Sequence, residues 1–304
     1  MSQLVDLSKL PAPDVIEELD YETLLAERKA KFLSLYPESE RAFWQARLAL
    51  ESEPITKLLE ENCYLQLLER QRINNAAKAT MLAYATGTDL DVIAANFNVQ
   101  RMIVQEADLQ ANPPILEIKE SDEDLRLRAQ LAFEGLSVAG PRSAYVFHAL
   151  SAHPEVGDVS VVSPQPAYVT VTILSRLGKG IPSQAVLQAV EARLNDDNVR
   201  PIADRVTVQA ATIQDYQIRA KLHMFRGPEY EPIKQEAQKR LEKYALERRR
   251  LGRDITLSGI YSALHIEGVQ RVELLEPRTD LILPNNKAGF CTQISLEMAV
   301  SDDY

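Results

Sequence analysis

Between Pro54 and Gly87 the chain holds no glycine or proline, and its apolar residues fall on more than one side of a helix. Leu58, Leu65 and Leu68 share one side, while Leu59, Cys63 and Leu67 lie on another. A helix that is apolar on two sides needs neighbours on two sides. Pro54 suits the first turn, where its missing N–H loses no intrahelical bond, and Gly87 is expected to close the helix. Run unbroken to Thr86, it would reach about 48 Å at about 1.5 Å per residue, longer than a compact domain needs. Charge interrupts at Glu69-Arg70-Gln71-Arg72, and Ala76, Ala77, Ala79, Ala83 and Ala85 follow, bringing little apolar area. This stretch reads as a helix packed partly inside its own subunit and partly against another chain. The alternative is an ordinary core helix of a monomeric domain.

The chain has 304 residues, enough for two or three domains. A formal net charge of −10 argues against nucleic acid and anionic lipid as partners, because attraction to phosphate needs a basic face. Only 11 residues are glycine, and no glycine-rich nucleotide loop is present. The N-terminus lacks the basic and then apolar pattern of a secretory leader, and no run is long and apolar enough to span a bilayer. A cytoplasmic product with reduced Cys63 and Cys291 is therefore expected.

The elements follow from periodicity. Asp20 is an expected N-cap for a helix carrying Tyr21, Leu24, Leu25, Phe32 and Leu35 up to Pro37, and a second helix covers 39–52. A short amphipathic helix around Leu90–Phe97 precedes a connector, 100–120, that contains Pro113-Pro114. Ser121 starts a capping box on a helix running toward Gly135, and another helix begins near Ser143. Strands follow at 159–162, 168–174, 205–211, 217–224, 269–275 and 292–298, interleaved with helices over 186–194, 232–250 and 257–264. The fold class is α+β: a helical N-terminal half, then small mixed sheets with packed helices. Four segments are expected: an arm and helices over 1–53, a helical assembly domain with connector over 54–140, and α+β domains over 141–225 and 226–304.

Residues 155–164 and 268–277 align without a gap, apolar on apolar at four positions and Pro164 on Pro277. Each follows a helix containing Ala-Leu, so a helix–strand–strand unit used twice is the simplest account. Chance similarity of two alternating strands is the other.

No chemistry is spelled out. His148 and His153 are five apart and do not share a helical face, so a helical zinc pair fails on spacing. Gly178-Lys179-Gly180 lacks phosphate-loop spacing and reads as a turn. Asp122-Glu123-Asp124 suits the positive end of a helix. Arg248, Arg249, Arg250 and Arg253 either complement a helix C-terminus or face an acidic protein partner. No nucleophile, base and orienter stand in a readable motif, so the chain reads as non-enzymatic, without cofactor or metal. A cytoplasmic hydrolase or transferase with a site between the two halves remains the competing reading, and His223 beside Arg219 and Lys221 is its one nominated cluster.

Several segments together resemble a family. Ala85-Thr86-Gly87-Thr88-Asp89-Leu90-Asp91 with Ala94-Ala95 and Arg101 is similar to its "A-x-G-x-x-L-D-x-L-A…R" signature, and Glu120–Arg128 to its "E-S-D-E-x-L-R-x-R" segment. Ala139-Gly140, Tyr145, Pro154-Glu155-Val156, Ile181-Pro182, Val199-Arg200-Pro201 and Asp204–Val208 continue in order. The chain thus resembles baseplate assembly protein J, a wedge subunit of contractile-tailed phages, over roughly 54–300. Phe147 departs where Trp is expected, and Ala167 where Gly often stands. The resemblance implies a structural virion component, assembled in the bacterial host cytoplasm. Its partners would be a second copy of itself, other wedge proteins and, at the ring, hub and sheath. A phage-tail-like bacteriocin or other contractile injection system would fit equally. The candidate subunit interface comprises Leu58, Leu59, Leu65, Leu67, Leu68, Arg248 and Arg249.

Overall fold

The computed structural model describes residues 5–225 and 230–300. Residues 1–4 of the expected arm, and 226–229 at the expected domain boundary, lie outside the described residues. Two compact units divide the chain, residues 3–100 and 101–304 for nearly all of its length.

The first unit is helical. Helix α1 (Tyr21–Ser34) is capped by Asp20, whose carboxylate accepts the Thr23 amide at 2.9 Å, so the expected cap is present. Helices α2 (Glu38–Leu48), α3 (Pro54–Ala79) and α4 (Gly87–Ala95) follow. Helix α3 stops seven residues before Thr86. Its end is closed by the Thr80 hydroxyl on the Ala77 carbonyl at 2.8 Å, and a turn brings the Ala85 amide onto Met81 at 2.9 Å. Gly87, with φ +55°, opens α4 instead of closing α3.

The second unit begins with a two-stranded antiparallel ribbon, β1 (Ile103–Gln105) and β2 (Ile118–Lys119), where a plain connector was expected. Pro113-Pro114 sits within the loop of that ribbon. Helix α5 (Asp122–Leu131) starts at Ser121, whose hydroxyl accepts the Asp124 amide at 3.2 Å. Helix α6 (Arg142–Leu150) leads into β3 (Val156–Gln165) and β4 (Tyr168–Ser175), and α7 (Gln184–Leu194) into β5 (Arg205–Ala210). The sheet order is β3-β4-β5, with β3 antiparallel and β5 parallel to β4. Val171 and Ile173 of β4 are buried with Val156, Val186, Val190 and Leu194.

After the single residue Ala211 comes β6 (Thr212–Met224), then α8 (Tyr230–Arg248), α9 (Leu257–Leu264), β7 (Val269–Glu276) and β8 (Lys287–Val300). The order here is β7-β6-β8, again with one antiparallel and one parallel neighbour on the central strand. Ile218, Ala220, Leu222 and Met224 point into a core shared with Leu241, Ile260 and Leu264, as their alternation requires. The fold is α+β with small mixed sheets. A helix–strand–strand order recurs in α6-β3-β4 and α9-β7-β8, with different pairing: β3 and β4 are neighbours, whereas β6 stands between β7 and β8. A division at 225/226 groups β6 with the first sheet; in the structure β6 is the central strand of the second.

Candidate functional site

Helix α3 has an inner and an outer side. On the inner side Cys63 is fully buried, and burial raises its thiol pKa above the ordinary value. Asn74, also buried, holds the arm with its side-chain amide: Nδ2 donates to the Glu17 carbonyl at 2.8 Å and Oδ1 accepts the Glu17 amide at 3.1 Å. Arg70 pairs with the Glu17 carboxylate at 3.2 Å, and Arg28 of α1 donates to Gln66. Leu59 and Leu67 are half-buried on flanks of this side. Asn74 was not anticipated; a polar residue in register with Cys63 on the apolar side of a helix is the signal that could have marked it.

The outer side is bare. Leu58, Leu65 and Leu68 are 57%, 49% and 46% exposed, and Tyr64 at 56% and Ile73 at 62% lie on its two opposite flanks. Burying a leucine is worth about 1.5–3 kcal/mol relative to leaving it exposed, and within this chain these three leucines leave that gain unrealised. The candidate leucines thus divide: Leu58, Leu65 and Leu68 face out together, and Leu59 and Leu67 are half-buried.

The two arginines are used within the chain. The Arg248 guanidinium lies 5.3 Å from the Tyr244 ring centre, and Arg249 donates to the Gly178 carbonyl at 2.6 Å and lies 5.2 Å from the Phe290 ring centre. The His223 cluster stands on the outward side of β6. His223 Nε2 is 3.3 Å from a Glu273 oxygen and 3.1 Å from an Arg271 nitrogen, and Arg219 is 3.8 Å from Glu276, each partner on the paired strand β7. Among the described residues, no group of three or more His, Cys, Asp or Glu is placed to hold a metal ion, and no helix is long and apolar enough to cross a membrane.

The family-like segment at 120–128 is an internal joint. Glu120 and Arg128 form a buried ion pair, Arg101 reaches Asp122 at 2.7 Å, and Arg176 reaches Asp124 at 2.6 Å while donating to the Val156 carbonyl. Helix α5 is thereby pinned to the root of the ribbon and to the end of β4.

The described residues thus form a helical unit with exposed leucines on α3 and an α+β unit whose two sheets carry internal ion pairs. Comparison with known proteins gives the family. The Baseplate J-like N-terminal, central and C-terminal domains match residues 51–108, 137–210 and 216–297. Baseplate protein J of Escherichia phage P2 is 54% identical over 300 residues, 99% of each chain. A cryo-EM structure of the anti-feeding prophage baseplate, 6-fold symmetrised, aligns over 60% of this chain and 44% of its own, with TM-score 0.40 and 15% identity. The chain belongs to the Baseplate J family. It is a structural protein of the phage tail, located in the virion baseplate.

Proposed function

We propose that this chain joins wedge subunits into the ring around the tail hub and rearranges when the sheath contracts, doing mechanical work without catalysis. The observation that carries this reading is the outer side of α3, where Leu58, Leu65 and Leu68 stand exposed opposite a side already covered by Cys63 and Asn74 packing. Leaving such a row in water is unfavourable, and a second copy or another wedge protein would bury it. The test is to mix the purified chain with the other baseplate proteins and measure mass. Stable complexes containing more than one chain are expected, and a persistent monomer contradicts the proposal.

A further inference from the structure

Two features that the sequence set apart meet each other in the structure: the Gly178-Lys179-Gly180 turn and the arginine run at the end of α8. The turn belongs to the β3-β4-β5 sheet, since the Ser175 amide donates to the Gly180 carbonyl at 2.8 Å. It nonetheless reaches into the other sheet. Lys179 pairs with Asp215 of β6 at 2.8 Å and lies 5.9 Å from the Phe290 ring centre, and Asp215 and Phe290 are register partners. From the other direction, Arg249 donates to the Gly178 carbonyl and lies over the same ring. One aromatic ring thus serves two cations, each with an acceptor on the opposite sheet or its own strand partner.

Backbone contacts reinforce the meeting. Asp158 of β3 accepts the Leu251 amide at 2.7 Å. The Ala211 amide bonds β4 through Ile173 at 2.9 Å, and the next amide, Thr212, bonds Asn286 beside β8 at 3.0 Å. Leu174, Ala211 and Ala288 are buried together there, with Ile213 and Leu251 packed on them. Gly180 adopts φ +103°, which a side chain rarely allows, and a Cβ there would stand 2.7 Å from Leu174 Cδ1 and 3.3 Å from Ile213 Cδ1. A one-residue link alone would allow bending; these contacts oppose it.

We propose that the 176–180 turn and the Arg249–Leu251 segment form an interlock that makes the two sheets one mechanical body, so that load on either sheet is carried to the other. This inference stands on the joint alone and does not depend on the ring reading. It moves any change of shape away from Ala211.

Hydrogen exchange of the full-length chain, resolved by mass spectrometry, tests it. In Lys179→Ala and Arg249→Ala, exchange in the 176–180 turn and at Ala211–Thr212 should rise about two- to fivefold, while the strand β3 and the helix α9 keep their protection. Arg248→Ala, which alters a cation turned to Tyr244, should leave the joint unchanged. In the wild type, strands of both sheets should lose protection at the same denaturant concentration, and in the combined Lys179→Ala/Arg249→Ala variant at separate ones. Should Arg249→Ala fail to fold, Lys179→Ala and Asp215→Ala, both at exposed positions, carry the same test. Unchanged exchange at the joint in the variants, or separate loss of protection in the wild type, overturns the proposal.

Discussion

Arg128 on α5 clasps Glu120 with two parallel bonds, Nε to Oε1 at 2.8 Å and Nη2 to Oε2 at 2.6 Å, and both side chains are almost out of water, at 6% and 2% exposure. The Glu120 carboxylate also accepts the Met102 amide at 3.2 Å, and its backbone is held by Arg101. Removing one partner leaves the other charged and buried. Glu120→Ala or Arg128→Ala should each cost about 3–5 kcal/mol of stability. Glu120→Leu with Arg128→Met, apolar groups of similar volume, should cost much less than either. Urea unfolding of the three variants checks this.

Ala167, in the β3–β4 turn, adopts φ +65°, while the Arg205 amide bonds its carbonyl at 2.7 Å. An L-residue there carries a penalty of about 1–2 kcal/mol that glycine avoids. Ala167→Gly should therefore stabilise the protein by about 1 kcal/mol, less whatever the freer unfolded chain takes back. The thermal midpoint should rise; a fall shows that the turn tolerates alanine without strain.

His148 is buried on α6 with Nε2 3.0 Å from the Gly135 carbonyl, so that nitrogen carries the proton, and Nδ1 has no partner among the described residues. Burial, helped by Arg193, lowers its pKa below the ordinary 6.5. The unfolded chain then binds a proton that the folded one resists, so stability is lost as pH falls from about 6.5 toward the lower folded value. The unfolding midpoint should drop as pH falls below the ordinary 6.5, and His148→Leu should flatten that part of the slope. An equal slope in the variant assigns the pH effect to other groups.

Much of the architecture was legible because it is local. Asp20 and Ser121 cap where their side chains can reach free amides. The alternation from Ile218 to Met224 marks which side of β6 meets the core. The end of α3 was not legible: alanines favour helix, so nothing in the local sequence foretells the turn after Ala79. The ribbon at 103–119 escaped notice because its strands are two and three residues long, below any readable period. For the site, periodicity separated Leu58, Leu65 and Leu68 from the Cys63 side, but could not say which side the chain covers itself. Nothing local ties Arg249 to Gly178 and Phe290, because both partners are distant in sequence.

Leu65→Asp and Leu68→Asp place a charge on the outer side of α3 without touching the packing around Cys63 and Asn74. The variants should fold, with the helix content and thermal midpoint of the wild type, and fail to enter complexes with the other baseplate proteins. Normal assembly by both would remove the stripe from the interface.

The most direct measurement uses Leu65→Cys. In the purified chain, Cys63 is buried and position 65 is exposed, so a thiol reagent should modify Cys at 65 rapidly. In intact baseplates carrying the same variant, the account predicts that this position is shielded and its labelling at least about tenfold slower. Equal labelling in the free chain and in the assembled baseplate would contradict the claim that other chains cover this side of α3.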